Sequence, residues 1–315
     1  MKIIGTGSAV PALEVSNDDL AKIVDTNDEW IVARTGIKTR RILSDETLRE
    51  LSTSAAERAL ENAGIKSREL DYIICSNTAS EYVTPGLSSL VHSDIDASCP
   101  CLNINAACTG FIYAMQIAQS FIDSGVAETI MVICAEEPTR IVDWSDRSTC
   151  VLFGDGAGAV IVQKGGEETH IITRNVSLCD VLYYRNNMEP TPFEKREKEK
   201  SPLVMKGQEV FKSAVKSAVK DINFTLDKAG IKKEDVAFYI LHQANMRIIE
   251  SISKMTRLDS SKFPHDIEKR GNTSSASIPI LLDEINREGR IKKGDKIVFN
   301  AFGAGFTSGV CLIEW

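Results

Sequence analysis

The sequence contains no apolar run long enough to span a membrane. Its 315 residues include no stretch that approaches the roughly 18 apolar residues of a transmembrane helix. The opening residues MKIIGTGSAVPALE place only Ile3 and Ile4 between the lysine and the first glycine, so they lack the apolar segment of a secretory signal. We therefore expect a cytoplasmic protein without membrane association.

The sequence also lacks a disulfide framework and a metal-binding pattern. Its eight cysteines are scattered, and several lie inside apolar runs, which is typical of reduced cysteines in a protein core. Cys99 and Cys101 flank a proline, but no further ligands follow at zinc-site spacing. The sequence therefore predicts no bound metal.

Acidic residues outnumber basic residues, 44 to 37. The net charge of −7 argues against nucleic acid as a general partner. With 43% hydrophobic and 26% charged residues, the composition is that of a globular protein. The length suits two packed halves of about 150 residues each.

Helical and strand patterns alternate along the chain. Residues 47–64 are amphipathic at helical spacing and end at a glycine, and the apolar run 71–77 after them is typical of a buried strand. The same order recurs over 101–135 and again over 208–241 in the C-terminal half. This alternation predicts an α/β protein with a parallel sheet covered by helices. Residues 189–201, with prolines and mixed charge, are expected to form a solvated excursion.

The glycine-rich stretch 153–158 does not fit a dinucleotide site. It reads FGDGAG, but a strand pattern follows it where such a site requires an amphipathic helix. We interpret it as a tight turn before a strand.

Cys108 lies where the sequence changes from strand to helix. The apolar run CLNI precedes it, and FIYAMQIAQSFI after it has helical spacing. The unpaired N–H groups and the dipole of a helix N-terminus favour a thiolate, so we expect a lowered pKa and a nucleophilic sulfur. The alternative is that Cys108 is an inert buried residue.

His242 and Asn272 are the candidate partners of this cysteine. His242 follows the apolar strand pattern FYIL, and Asn272 lies between a glycine turn and a helical pattern. Functional sites of α/β proteins are concentrated at such strand ends and turns. One chemistry for such a set is that of a papain-like protease, which expects a different local sequence around the cysteine. The other is a carbon–carbon bond-forming synthase, in which histidine and asparagine donate hydrogen bonds to a thioester oxygen.

Six motifs carry a resemblance to a known family. NAACTGF, HQANMRI, RGNTSSASIP and NAFGAGFTSG, with IIGTGSAVP and DEWIVARTGI near the start, closely resemble those of β-ketoacyl-acyl carrier protein synthase III, the initiating condensing enzyme of bacterial fatty acid synthesis. The resemblance extends over nearly the whole chain. It implies a thiolase-like fold of two similar halves, 1–165 and 166–315, in a five-layer αβαβα arrangement, and a homodimer.

The resemblance also implies a reaction and its residues. An acyl-CoA primer would acylate Cys108, and the product would come from decarboxylative condensation with malonyl-acyl carrier protein, supported by His242 and Asn272. The backbone N–H groups of Cys108 and Ala304 match the oxyanion hole, and Phe302 matches the ring beside the cysteine. No cofactor is implied, because acyl-CoA is a substrate.

Further residues match the binding surfaces of the family. Trp30 and Arg147 match the pair that sandwiches the coenzyme A adenine, and the remaining coenzyme positions are Arg34, Gly207 and Asn245. The basic patch for the acyl carrier protein matches Lys212, Arg247 and Lys254. Lys212, Lys216 and Lys220 are also four residues apart, so a helix would present them as one cationic stripe. Thr84 matches a position at the floor of the partner subunit's acyl pocket.

Two other functions stay open at this point. One is a related acyltransferase or condensing enzyme of secondary metabolism on the same fold. The other is a non-enzymatic subunit, which is disfavoured because such subunits lose the nucleophile. The chain departs from the family pattern at Ser148, where glycine is usual, at Ser308, where tryptophan is usual, and over 175–187, which lacks the usual glycines.

Overall fold

The computed structural model describes residues 1–167, 169–185, 191–195 and 201–315. The strands within these ranges are β1 (Lys2–Ala9), β2 (Glu14–Ser16), β3 (Thr39–Arg41), β4 (Tyr72–Ser76), β5 (Cys101–Ile104), β6 (Thr129–Glu136), β7 (Gly156–Gln163), β8 (His170–Asn175), β9 (Leu182–Tyr183), β10 (Val204–Met205), β11 (Val236–Leu241), β12 (Lys296–Gly303) and β13 (Thr307–Glu314). The α-helices are α1 (Asn17–Leu20), α2 (Asp28–Thr35), α3 (Leu48–Ala63), α4 (Leu87–Asp94), α5 (Gly110–Asp123), α6 (Gly207–Ala229), α7 (Met246–Thr256), α8 (Ile267–Arg270) and α9 (Ser277–Arg287).

Two main sheets organise the molecule. The first has the order β1-β7-β6-β4-β5, and the second has the order β11-β12-β13-β8. In the first sheet, β1, β7 and β6 pair antiparallel, while β6, β4 and β5 pair parallel. In the second, β8, β13 and β12 pair antiparallel, while β12 and β11 pair parallel. In order and direction, β4, β6, β7 and β1 of the first sheet thus correspond to β11, β12, β13 and β8 of the second, whereas β5 has no counterpart among the described strands. No sequence repeat can be aligned.

The apolar cores define five layers. Side chains of α5 and α9 pack between the two sheets in one core, which contains Phe111 and Leu281. A second core joins α3 and α4 to the outer face of the first sheet. A third joins α6 and α7 to the outer face of the second sheet. Because burying each apolar face is the main driving force of folding, the helices cover both sheets, and this order of layers is the αβαβα arrangement that the family resemblance implies.

The prediction of a parallel sheet was wrong in part. Each sheet is mixed, because β6 leads to β7, and β12 leads to β13, without an intervening α-helix. Strands connected in this way pair antiparallel, since a parallel pair needs a long crossover. The last strand of the first sheet is β7, and β8 belongs to the second. We retain 1–165 and 166–315 as the proposed division into halves.

The predicted helix over 47–64 is confirmed together with the residues that end it. Thr47 caps α3 and shares a capping box with Glu50, while Gly64 ends the helix in the left-handed conformation with φ of 69°. Most of the expected solvated excursion at 189–201 lies outside the described residues. Among the residues that the structure describes, no helix is both long and apolar enough to cross a membrane.

Candidate active site

One cavity gathers most of the predicted site residues. It has a volume of about 1700 Å³ and extends from the ends of β5 and β12 to the surface beside α2 and α6. Its lining includes Cys108, His242, Asn272, Phe302, Ala304, Trp30, Arg34, Arg147, Gly207, Asn245, Lys212 and Arg247. Thr84 and Lys254 do not line it. The deep end therefore contains the candidate catalytic groups, and the outer end contains the candidate coenzyme and carrier positions.

Cys108 lies in a tight 3₁₀ turn, Ala107–Thr109, directly before α5. Ala107 adopts a positive φ of 47°, which is strained for a residue with a side chain and is common at functional sites. Gly110 follows because a Cβ there would collide with the hydroxyl of Ser76. The strand-to-helix turn that the sequence predicts is therefore confirmed, and it packs closely against the side chain of Ser76.

The expected lowering of the Cys108 pKa was wrong. Cys108 is partly exposed to the cavity, but its thiol lies deep in the protein, and this burial raises its pKa to about 11. The nearby carboxylate of Glu136 also disfavours a thiolate, while a hydrogen bond from Ser274 favours one. Desolvation of the buried thiolate is the largest of these effects. Cys108 is thus a neutral thiol that needs a proton acceptor when it reacts.

His242 is a neutral ring with one nitrogen already bonded. It follows β11, its backbone N–H donates to the carbonyl of Asn300 at 2.8 Å, and burial lowers its pKa to about 3. Its Nδ1 lies 2.8 Å from the hydroxyl of Ser277, and that hydroxyl accepts the backbone N–H of Gln243 at 3.2 Å. Within the described part of the chain the Ser277 hydroxyl has no other acceptor, so its hydrogen goes to Nδ1. The ring hydrogen therefore lies on Nε2, which makes Nε2 a hydrogen-bond donor.

Two backbone hydrogen bonds hold Asn272 against residues 152–154 of the N-terminal part of the chain. Its N–H donates to the carbonyl of Leu152 at 2.8 Å, and its carbonyl accepts the N–H of Gly154 at 3.1 Å. The FGDG segment predicted to be a tight turn therefore also positions this residue. Within its own turn, the side-chain Oδ1 of Asn272 accepts the N–H of Ser274 at 2.8 Å. Because Oδ1 is occupied in this way, Nδ2 remains as the donor of the amide group.

Two turns that carry the predicted oxyanion-hole groups are tied together. The hydroxyls of Thr109 and Thr307 lie 2.7 Å apart, and the Thr307 hydroxyl also lies 3.1 Å from the carbonyl of Ala304. Gly303 allows this approach, because a Cβ there would lie 2.9 Å from the nitrogen of Cys108. The backbone around Ala304 is thus held beside the backbone of Cys108.

The outer end of the cavity carries an aromatic ring with two cations. The Arg34 guanidinium lies 4.4 Å from the centroid of the Trp30 ring, and that of Arg147 lies 4.9 Å from it. Both Trp30 and Arg34 belong to α2, and their spacing of four residues places them on one face of that helix. Arg147 also donates to the backbone carbonyl of Asp25 at 2.8 Å. A base stacked between Trp30 and Arg147 needs two layers of about 3.5 Å each, so Arg147 must move outward to admit one.

The candidate carrier residues differ in position. Lys212 on α6 and Arg247 on α7 line the mouth of the cavity, and the Arg247 guanidinium lies 5.8 Å from the Phe211 ring centroid. Lys254 is exposed farther along α7. Thr84 is also exposed, and its neighbours Tyr82 and Val83 line this chain's own cavity. The roles of these residues stay predictions.

Ser148 and Ser308, two of the three departures from the family pattern, have separate surroundings. Ser148 lines the cavity, and its hydroxyl donates to the carboxylate of Asp146 at 2.8 Å. Ser308 is buried on β13, where its hydroxyl donates to Asp221 of α6 at 2.6 Å. Asp221 also accepts a hydrogen bond from Arg174 at 2.8 Å. The polar contact at Ser308 therefore joins α6 to the second sheet, and of these two residues Ser148 is the one that lines the cavity.

Sequence reasoning missed three residues of the deep site. They are Ser274, Ser277 and Glu136. Glu136 ends the wholly buried strand β6, and a carboxylate at the end of an apolar run is a signal that could have identified it. Ser274 and Ser277 lie inside a motif already singled out, but nothing in the spacing distinguishes them from the adjacent serine. Among the described residues, no cluster of three or more potential metal ligands occurs.

A thiolase-like fold with cysteine, histidine and asparagine side chains around one cavity is that of a condensing acyltransferase. Models of 3-oxoacyl-[acyl-carrier-protein] synthase III match residues 102–178, and models of its C-terminal domain match residues 226–315. The chain is 43% identical to the β-ketoacyl-[acyl-carrier-protein] synthase III of Clostridium acetobutylicum, over 100% of this chain and 98% of the relative. The chain belongs to the 3-oxoacyl-[acyl-carrier-protein] synthase III family.

Solved structures agree with this assignment. The crystal structure of 3-oxoacyl-[acyl-carrier-protein] synthase III from Aquifex aeolicus matches with a TM-score of 0.93 and 43% identity, covering 100% of this chain and 99% of that one. The priming β-ketosynthase from the R1128 polyketide biosynthetic pathway matches with a TM-score of 0.92 and 32% identity, covering 99% of this chain and 95% of that one.

Proposed function

We propose that this protein condenses an acyl-CoA primer with malonyl-acyl carrier protein and releases carbon dioxide and a β-ketoacyl-acyl carrier protein. Family membership supports this reaction. The observation that carries the assignment of residues is the pair of donors in one cavity with Cys108. Nε2 of His242 and Nδ2 of Asn272 are both left free to donate, because Ser277 and Ser274 occupy the other polar atoms of their groups.

In the first half-reaction, Cys108 loses its proton and its sulfur attacks the primer thioester. A new sulfur–carbon bond forms, the bond to coenzyme A breaks, and coenzyme A leaves as a thiol. The tetrahedral oxyanion accepts hydrogen bonds from the backbone N–H groups of Cys108 and Ala304, which is the kind of preorganised stabilisation that accelerates acyl transfer most.

In the second half-reaction, the malonyl carboxylate leaves as carbon dioxide. The electron pair of the broken bond forms an enolate, whose oxygen accepts hydrogen bonds from His242 and Asn272. The enolate carbon attacks the acyl group on Cys108, and the cysteine sulfur leaves. A neutral histidine suits this role, since its pKa near 3 keeps it from acting as a proton source for the enolate at neutral pH.

The partners and location follow from the same proposal. Coenzyme A would extend from Cys108 past Asn245 and Gly207 to Trp30, and the carrier protein would contact Lys212, Arg247 and Lys254. No cofactor takes part, and the homodimer and the cytoplasmic location belong to the proposal as well.

The test separates the two half-reactions. Intact-mass measurement after exposure to acyl-CoA should show acyl addition in the unmutated protein and none in Cys108→Ser, because a hydroxyl ionises far less readily than a thiol. His242→Ala and Asn272→Ala should still accept the acyl group but decarboxylate malonyl thioester about 10²- to 10³-fold more slowly. Wild-type decarboxylation in either variant, or acylation of Cys108→Ser, would refute the assigned roles.

The likeness to a priming polyketide synthase supports a second candidate. In that case the same site would condense primers for a pathway of secondary metabolism. Turnover with the carrier protein of fatty acid synthesis, compared with a carrier from a polyketide pathway, distinguishes the two, since only the acceptor differs.

A further inference from the structure

The deep end of the cavity contains a buried carboxyl group that the condensation scheme does not use. Glu136 ends β6, is 2% exposed, and still lines the cavity. Its Oε1 accepts the hydroxyl of Ser275 at 2.6 Å and lies 3.3 Å from the hydroxyl of Ser274. Its Oε2 accepts the backbone N–H of Thr78 at 3.1 Å. Among the described residues, every close partner of this carboxyl group is a neutral donor, so none of them supplies a counter-charge.

Ser274 connects this carboxyl group to the nucleophile. Its hydroxyl oxygen lies 3.5 Å from the sulfur of Cys108 and 3.3 Å from Oε1 of Glu136. The hydroxyl has one hydrogen, so when it donates to Glu136 its lone pairs can accept the thiol hydrogen of Cys108. Ser274 has a φ of 52°, an uncommon conformation for a residue with a side chain, and this strain is maintained where the three groups meet.

We propose that Glu136 is the proton acceptor for Cys108 during acylation and that Ser274 relays the proton. This inference deepens the proposed function, on which its acylation step rests. The thiol hydrogen of Cys108 passes to the oxygen of Ser274 while the hydroxyl hydrogen of Ser274 passes to Oε1 of Glu136. The sulfur then attacks the thioester, and the departing coenzyme A sulfur takes one proton back through Ser274. Glu136 ends the step ionised, and Cys108 ends it acylated.

His242 is not suited to this task. Its Nδ1 already accepts the Ser277 hydroxyl, and burial lowers its pKa to about 3. Burial has the opposite effect on Glu136 and raises its pKa to about 7, which is where a general base works best near neutral pH.

The other titratable groups around Glu136 are also buried. Cys75 on β4 and Cys134 on β6 face it, and burial raises the pKa of both thiols. Cys108 faces it through Ser274, with a pKa of about 11. Burial also raises the pKa of the adjacent Glu137, which is paired with Arg140 at 2.7 Å. Among the described groups that face this carboxyl, the thiols therefore stay neutral near pH 7, where Glu136 titrates.

The decisive measurement is the rate at which iodoacetamide alkylates Cys108 as a function of pH, read by mass spectrometry of the peptide that contains it. This reaction needs no substrate, and the thiol either ionises before it reacts or passes its proton to a base as it attacks. The relay predicts the second route in the unmutated protein, with a rate that follows the ionised fraction of Glu136 and has a midpoint near pH 7. Glu136→Gln should then lose that rise and react roughly 10²-fold more slowly at pH 8, the scale of one general base. An unchanged rate in Glu136→Gln would overturn the proposal, and so would a faster one, because loss of the nearby negative charge favours a thiolate that forms without a base.

Two serine variants test the relay independently. They are needed in case Glu136→Gln disturbs the backbone at Thr78, whose N–H donates to Glu136. Ser274→Ala removes the relay and should lower the rate at every pH, since the carboxyl group can no longer reach the thiol. Ser275→Ala is the matched control, because its hydroxyl bonds the same oxygen but does not contact Cys108. Loss of that hydrogen bond destabilises the carboxylate, so the midpoint should move upward by roughly one pH unit while the plateau is kept. A wild-type profile in Ser274→Ala would refute the relay.

A second experiment measures the rate at which acyl-CoA acylates Cys108, by rapid quenching over the same pH range. If the alkylation profiles follow the expectation but no acyl-CoA acylates Cys108, the proposed function fails while the relay stands. If acylation occurs with the same pH dependence in Glu136→Gln and the unmutated protein, the relay fails while the proposed function stands.

Discussion

The hydroxyl of Ser277 lies 2.8 Å from Nδ1 of His242. Because that hydroxyl has no other acceptor among the described residues, we assign the ring hydrogen to Nε2. Ser277 is the first residue of α9, whereas His242 follows β11. The helix that separates the two sheets therefore sets the tautomer of a histidine at the end of a strand. Without this contact the two neutral tautomers would compete, and one of them has no donor on Nε2.

Ser277→Ala should therefore slow malonyl decarboxylation by roughly tenfold, less than the complete loss of one donor. Acylation of Cys108 should continue, because this step does not use His242. Nitrogen NMR shifts of the His242 ring would report the tautomers directly. If the ring keeps its hydrogen on Nε2 in Ser277→Ala and decarboxylation is unchanged, Ser277 has no part in positioning the donor.

Trp30→Ala should raise the Michaelis constant for acyl-CoA by roughly 5- to 150-fold, because stacking of a base on an aromatic ring contributes about 1–3 kcal/mol. The same variant should use acyl-pantetheine, which has no adenine, as well as the unmutated protein does. Steady-state kinetics with both thioesters tests this expectation. An equal loss with both substrates would indicate a defect of local packing, since Trp30 is also half-buried against an apolar cluster.

Lys212→Glu should raise the Michaelis constant for malonyl-acyl carrier protein several-fold, because a charge at the rim acts mainly on the encounter with an acidic partner. Lys220→Glu is a matched control on the same face of α6, exposed but distant from the cavity mouth. The effect should shrink as salt is raised to about 1 M, where the screening length falls to about 3 Å. Equal effects of both reversals would argue against a local carrier site.

Thr84→Phe should shift primer preference toward acetyl. The resemblance places this residue at the floor of the partner subunit's acyl pocket, where threonine leaves more room than the phenylalanine of acetyl-selective members. Each buried methylene contributes about 0.8 kcal/mol, or about fourfold in affinity, so the unmutated protein should accept butyryl and longer primers. Specificity constants for acetyl, butyryl and octanoyl primers measure this, and a strong acetyl preference before mutation would contradict it.

The short-range features of the fold were readable from the sequence. The helix over 47–64 is marked by its own cap and by its terminal glycine, and the turn at Cys108 by a change from strand to helix spacing. These patterns act over a few residues, so propensity and capping decide them. The direction of β7 and β13 was harder to predict, because strand pairing depends on the connection and on which neighbour is available in the sheet.

The amino-acid sequence determined the family, the order of elements and the identity of Cys108, His242 and Asn272, because motifs and periodicity are properties of the chain itself. Only the tertiary structure decided the chemical state of these groups. The pKa of Cys108 rises with burial among residues far apart in sequence, and the tautomer of His242 depends on a hydroxyl 35 residues away along the chain. Ser274 and Glu136 are separated by 138 residues, and only folding brings them within one hydrogen bond of each other. Desolvation and hydrogen bonding are set by what surrounds an atom in space, which local sequence does not specify.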